Sequence, residues 1–237
     1  MKVAAYTGTK NLYRLMVPAV NSLCANSDVD KIYLLIEDDV FPYKLPDCVE
    51  TINVSNQTYF RKDGPNMNSH FTYMAMMRAT YAKMFPDLNR ILSLDVDTIV
   101  VDDISELWDI DLYDNYFAAV TEPDRCAGGI NYFSPIYTNI GVAVYNLDKL
   151  RSDRLLDTIL LNLNTKHYDF LEQDAFNEFC QGHILKLPNM YNCTNECIYP
   201  FTGWCDNPKI IHYAGMREWE NKTLVKKYML VEYNDYK

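Results

Sequence analysis

Short apolar runs alternate along this chain with longer stretches in which apolar residues recur at helical spacing. Lys2 to Tyr6 and Lys31 to Ile36 (KIYLLI) read as buried strands, joined by an amphipathic helix over Leu12 to Leu23. A shorter strand covers Thr51 to Val54. The run FTYMAMMRATYAKMF, Phe71 to Phe85, predicts a helix stopped by the Pro86-Asp87 turn. Arg90 to Leu94 is the next strand, followed by a short acidic helix over Ile104 to Trp108. Tyr116 to Val120 and Ile140 to Tyr145 are strand candidates. Asp148 to Leu163 predicts a helix with Asp148 as its N-cap, and Glu172 to Cys180 a second, shorter one. Lys209 to Tyr213 is a late strand. The tyrosine-rich tail from Val225 (VKKYMLVEYNDYK) reads as a docked helix or a free end. Strand and helix in alternation predict an α/β fold: a mostly parallel, Rossmann-like sheet with helices on both faces. Ligands of such sheets bind beyond the carboxyl ends of the strands. Without a linker, repeat or low-complexity segment, residues 1–237 form a single domain of two halves, 1–110 and 111–237.

One strand ends oddly. RILSLDVDTIVVDD, Arg90 to Asp103, begins apolar and breaks into carboxylates at Asp95 and Asp97. Residues i and i+2 of a strand point the same way, so these two would share a face. Close ionised carboxylates repel, and burying them is costly unless a cation or donor is present. Two readings stay open on this stretch alone: a solvated strand end, or a hard-cation site completed by phosphate oxygens.

Composition narrows the partners. The 237 residues are 49% hydrophobic and 23% charged, as in an ordinary globular protein, but the net charge is −10. With no basic cluster longer than a pair such as Lys226-Lys227, nucleic acid and anionic membranes are poor partners. An anionic substrate would need a local cation. The opening MKVAAYTGTKNLY lacks a signal-peptide core, and no apolar run reaches the length of a membrane span. The expectation is a cytoplasmic protein, with peripheral work at the inner membrane face left open. Cysteines 24, 48, 126, 180, 193, 197 and 205 read as reduced thiols, since Cys193, Cys197 and Cys205 lack the second pair of a zinc knuckle. Formal N-x-S/T sites at Asn53, Asn56, Asn192 and Asn221 carry little weight without a secretion signal.

Two families share an Asp-x-Asp after an apolar strand. Haloacid dehalogenase-like phosphatases place it on the first strand, with Thr or Val where this chain has Ile99. The stronger match is distributed. RILSLDVDTIVVDDISELWD, YTNIGVAVYNLDKLR (Tyr137 to Arg151), EQDAFNEFCQG (Glu172 to Gly182) and KIIHYAGMREW (Lys209 to Trp219) follow in order, with Arg78 on the helix before the D-x-D. In this the sequence resembles glycosyltransferase family 8, retaining enzymes of the GT-A nucleotide-diphospho-sugar transferase fold that include glycogenin and bacterial lipopolysaccharide galactosyl- and glucosyltransferases.

The resemblance implies a metal-dependent transfer of glucose or galactose from a UDP-sugar to a saccharide, glycolipid or protein hydroxyl. Residues 1–110 would bind the nucleotide-sugar and 111–237 the sugar and acceptor. It implies Asp95, Asp97 and His212 as ligands of Mn²⁺, with Mg²⁺ as the alternative; a nitrogen ligand leans toward manganese. Ala5, Tyr6, Thr7 and Tyr13 would cradle the nucleoside. Arg78, Asp95, Val96, Asn139, Gly141, Gly215 and Arg217 would complete the donor site. Glu172, Gln173 and Asp174 would stand at the reacting carbon. The chain departs from the pattern twice: Glu172 replaces the family's Asp, and Met216-Arg217-Glu218-Trp219 is shorter and lacks its proline. Nineteen tyrosines raise tyrosine self-glycosylation as a side possibility. A catalytically silent sugar-nucleotide or glycan-binding module also stays open, because fold likeness does not prove turnover.

Overall fold

The computed structural model describes residues 1–69, 71–123 and 136–230; Cys126 and the last residues of the tail lie outside it. In chain order the elements are β1 (Val3–Thr7), α1 (Tyr13–Asn26), β2 (Lys31–Ile36), β3 (Val49–Asn53), α2 (Tyr81–Met84), β4 (Arg90–Leu94), β5 (Thr98–Val100) and α3 (Glu106–Asp109). The second half holds β6 (Phe117–Thr121), β7 (Thr138–Asn146), α4 (Leu147–Ser152), α5 (Leu155–Thr165), α6 (Leu171–Phe179), β8 (Ile184–Leu187), β9 (Ile210–His212) and α7 (Thr223–Tyr228).

Seven strands form one sheet in the order β3-β2-β1-β4-β7-β6-β8. β3, β2, β1 and β4 pair in parallel, and β6 with β8 likewise. β7 is antiparallel to both its neighbours, β4 and β6. The mostly parallel α/β sheet expected from the sequence is therefore present, with β7 reversed. That reversal matters for the site. It brings the start of β7, at Asn139 and Gly141, to the carboxyl ends of the parallel strands. The chain leaves β1 toward β2 on one side while β4 lies on the other, so the strand order switches between them, where ligand crevices form.

Alternation along each strand sorts side chains onto two covered faces. Val3, Ala5, Ile91, Phe117 and Tyr145 pack with the 73–84 segment and α4 to α6. Ala4, Tyr6, Leu92, Leu94, Val142 and Val144 pack with α1 and α3. Burial on both faces is why these strands read as nearly continuous apolar runs. A third, smaller cluster of Ile99, Ile211, Tyr213, Trp219, Val225 and Tyr228 joins β5, β9 and α7. Its centre is a stack of Tyr213 on Trp219, with centroids 6.2 Å apart.

Four local expectations change. The helix over 71–85 is a 3-10 run from Tyr73 to Thr80 followed by the single turn of α2. Met74, Met76, Met77, Arg78, Ala79 and Thr80 are all buried there, so packing on every side, not one apolar stripe, sets the winding. The helix over 148–163 breaks at Arg154, whose φ of 54° is left-handed, and its N-cap is Asn146, not Asp148. The Asn146 side chain accepts from the Lys149 amide at 3.1 Å. Two short strands, β5 and β8, were not anticipated, and β9 pairs with β5 outside the main sheet. The start of the tail is a docked helix, since Asn21 donates to the Tyr228 carbonyl at 3.0 Å. No described helix is long and apolar enough to cross a membrane.

Candidate metal and donor site

Asp95 and Asp97 meet, but not by strand alternation. β4 ends at Leu94, and residues 95–98 turn. The Thr98 amide and hydroxyl both donate to the Asp95 carbonyl, at 3.2 and 2.6 Å. The turn starts β5, which pairs with β9 so that Thr98 faces His212 across the ladder. The Tyr213 amide donates to the Asp97 carbonyl at 3.0 Å, closing the same corner. One carboxylate oxygen each of Asp95 and Asp97 and one His212 nitrogen then lie within 4.8 Å of one another, the one such group among the described residues.

The histidine's orientation follows from a chain of hydrogen bonds. Asn139 Nδ2 donates to Glu122 Oε1 at 2.8 Å, which leaves Asn139 Oδ1 as acceptor for Asn192 Nδ2 at 2.9 Å. Asn192 Oδ1 is then the acceptor facing His212 Nδ1 at 2.8 Å. Nδ1 must therefore carry a proton, and Nε2 faces Asp97 at 3.2 Å and Asp95 at 3.7 Å. Burial disfavours charge on this imidazole, but Asp97 and Asp95 outweigh it and raise its pKa.

Gly141 makes room for the cluster. A Cβ there would stand 2.3 Å from His212 Cε1 and 2.7 Å from Asp95 Oδ2. Its carbonyl accepts from the Asp95 amide at 2.8 Å, and its amide donates to Asn139 Oδ1 at 2.9 Å.

Arg78 is buried against the carboxylates. Its Nη2 pairs with Asp95, its Nη1 donates to the Ile140 carbonyl at 2.6 Å, and its Nε lies 3.2 Å from Glu172. Burial raises the Asp95 carboxyl, but Arg78 and His212 overcome this and hold it below its ordinary range. Glu172 behaves oppositely: burial pushes it up to about 7 despite Arg78 beside it. Gln173 Oε1 accepts from the Ile140 amide at 3.2 Å, and its Nε2 donates to Tyr137 at 3.1 Å. Arg78, Asp95, Ile140, Glu172 and Gln173, with Phe71 and Phe170, line a recess of about 100 Å³.

Several expected residues stand elsewhere. Tyr6 is fully buried, its ring on the α1 face and its hydroxyl on the Ala19 carbonyl at 3.3 Å, so it cannot stack on a base. The parity that buries Ala4 buries Tyr6 too. Ala5 is fully buried between the ladders, facing Tyr33 and Ser93. Thr7 ends β1, half-buried, and Val96 is half-buried in the turn. Tyr13 lines a cleft of about 650 Å³ with Lys10, Asp38, Asp39, Val40, Pro42 and Tyr43. Asn139 has both amide-oxygen lone pairs engaged, leaving only one N–H to offer a ligand. Asp174 accepts from Tyr137 at 2.6 Å and from the Phe170 amide at 2.8 Å, a positioning role at the head of α6. Gly215, with φ of 67°, and Arg217 lie on the exposed loop after β9. Asn192 and Glu122, which orient the histidine, carry no recognisable signal in the sequence. Asn192 belongs to a formal glycosylation triplet, yet it is fully buried.

Comparison with known proteins gives the family. The model of "Glycosyl transferase family 8" matches residues 5–223. Glycosyltransferase GlyE of Streptococcus pneumoniae is 26% identical over 209 residues, covering 81% of this chain and 47% of that protein. General stress protein A of Bacillus subtilis is 23% identical over 79% of this chain and 72% of its own length. Against the first two curated relatives the chain spans about half their length, 53% and 47%. Among solved structures, the galactosyltransferase LgtC, in complex with donor and acceptor sugar analogs, superposes with a TM-score of 0.69. That match covers 97% of this chain and 95% of LgtC at 17% identity, a likeness of fold. The phosphatase alternative closes with it, since the D-x-D here ends the fourth strand of the chain, not the first. With its family model matched over nearly its whole length, the chain belongs to glycosyl transferase family 8.

Proposed function

We propose that this protein is a metal-dependent retaining glycosyltransferase that moves glucose or galactose from a UDP-sugar to a hydroxyl acceptor on a saccharide, glycolipid or protein. The observation that carries the reading is the Asp95, Asp97 and His212 cluster at the switch point of the sheet. The residues fit a divalent cation on two counts. The donor set is two carboxylates and one imidazole whose Nδ1 proton is fixed by Asn192. Gly141 leaves beside them a space that any side chain would fill. Mn²⁺, with Mg²⁺ as the alternative, would be held by these three residues and would supply Lewis-acid neutralisation of charge on the departing diphosphate.

The remaining residues divide the work. Arg78 fixes Asp95 and counters the acidic surroundings. Tyr13 and the 38–43 segment offer a cleft of nucleoside size. Arg217, exposed on the loop after β9, would contact the diphosphate. Glu172 is committed to Arg78, and Asp174 to Tyr137 and Phe170, while Gln173 carries only an amide. An amide is a poor nucleophile, so departure and attack on one face of the sugar is the retaining route this arrangement favours. A covalent glycosyl-enzyme trapped on any carboxylate of the wild-type protein would overturn that route. LgtC, solved with donor and acceptor sugar analogs, supports a two-substrate reading by its likeness of fold.

The deciding experiment is calorimetric titration of UDP with Mn²⁺ present and after chelation, on the wild type and on Asp97→Ala. Metal-dependent binding lost in the variant is the expected result, followed by UDP-glucose or UDP-galactose turnover. Binding of equal strength after chelation would sink the metal site as described.

A further inference from the structure

Two of the thiols touch. Cys24 lies on α1 and Cys48 just before β3, with their sulfurs 3.7 Å apart. Both are half-buried, whereas Cys180, Cys193 and Cys197 are sealed in the interior. Cys24 lines a surface groove of about 570 Å³ with Asn21, Lys44, Pro46, Lys227 and Tyr228, and the half-buried Cys48 sulfur lies 3.7 Å from it, within reach of a small reagent. The segment between β2 and β3 is fastened to α1 at three places, and this contact is the last of them. The Glu37 amide donates to the Tyr13 hydroxyl at 2.8 Å, the Phe41 ring packs on Tyr13 at 5.1 Å, and Cys48 meets Cys24. That segment and Tyr13 are the walls of the 650 Å³ cleft.

We propose that Cys24 and Cys48 form a reversible disulfide by exchange with a low-molecular-weight disulfide, covalently fixing the cleft-bearing segment to α1. The Cys48 thiolate attacks one sulfur of the small disulfide, giving a mixed disulfide on Cys48 and releasing one small thiolate. Cys24 gives its proton to solvent base and attacks the Cys48 sulfur, releasing the second small thiolate. Two protein thiols are oxidised and one small disulfide is reduced to two thiols. Burial, with Cys48 beside it, pushes the Cys24 thiol up to about 12, so its attack depends on the 3.7 Å proximity to the Cys48 sulfur. The bridge closes a loop that contains all of β2, and closure of a loop this long raises the melting temperature by about 5–10 °C. The exchange needs neither metal nor nucleotide and is independent of the proposed activity.

The test is incubation of the native protein with oxidised glutathione, followed by alkylation of free thiols, intact mass and peptide mapping. The expected result is loss of two alkylatable thiols, a Cys24–Cys48 linked peptide, and a melting temperature that rises and returns on reduction. In Cys24→Ser the intermediate should instead be caught as a glutathione adduct on Cys48. The wild-type map requires no variant to fold. Cys24 and Cys48 both remaining alkylatable, or an equal loss of thiols in the double serine variant, would overturn the proposal.

Discussion

Glu172 ionises well outside the ordinary range of a carboxylate. Its folded pKa of about 7 exceeds the ordinary 4.5, because burial outweighs the Arg78 charge. The native state therefore holds this proton more tightly than the unfolded chain. The resulting stability is fully present below the unfolded pKa and is lost as pH rises through about 7. A shift of this size corresponds to about 3 kcal/mol. Glu172→Gln has no such titration, so its stability relative to wild type should climb by about 2–3 kcal/mol between pH 5 and pH 8. Urea unfolding at several pH values measures this, and a difference flat across that range would mean the carboxylate stays ionised. At His212 the lever is a neighbour. Asn192→Leu keeps the branching at Cγ but removes the acceptor for Nδ1, so the Mn²⁺ affinity should fall about 10–100-fold with the fold intact. Titration of Mn²⁺ into both proteins decides it. Glu172 and His212 were visible in the sequence as chemistry. Arg78 was visible too, but its pairing with Glu172, and the part Asn192 plays at His212, became legible only in three dimensions, because these partners sit on different elements.

At the scale of elements, apolar runs covered on both faces leave a clear trace, and β1, β2, β4 and the middle of β7 stand within a residue or two of expectation. β5 did not, because its three residues, Thr98 to Val100, follow the D-x-D without a break in apolar character. Yet the β5–β9 pairing is what carries His212 to Asp97. The same blindness misplaced Tyr6: its strand was found, but which face it served depended on α1 lying over it. Gly141 shows an element position acting as a site residue. Gly141→Ala would drive a methyl into His212 and Asp95, and overpacking of this kind costs about 1–3 kcal/mol. The expected outcome is a folded, moderately destabilised protein whose Mn²⁺ affinity drops by more than tenfold, read by calorimetry beside a thermal melt. Unchanged metal binding would show that the start of β7 yields without moving the ligands.

For the whole molecule the governing quantity is charge. A chain with a net charge of −10 repels a nucleoside diphosphate at long range, and the site itself adds Asp95 and Asp97. Arg78 cannot offset this alone, since Asp95 and Glu172 already engage it. Cation and nucleotide should therefore bind cooperatively, each supplying what the other lacks. Ligands that bind only the native state stabilise it by about 2.7 kcal/mol at a hundredfold excess over Kd. For a chain of this size that is about 5–10 °C in melting temperature. Mn²⁺ with UDP should give a shift of that order, UDP with a chelator almost none, and Mn²⁺ alone an intermediate one. In Asp97→Ala the combined shift should collapse to that of UDP alone. Thermal melts of both proteins under these three conditions, beside a ligand-free control, are enough. If UDP shifts the wild type equally with and without chelator, the acidic protein holds its anion through its own cations. Lys10 in the Tyr13 cleft and Arg217 on the loop after β9 would then be the first side chains to replace.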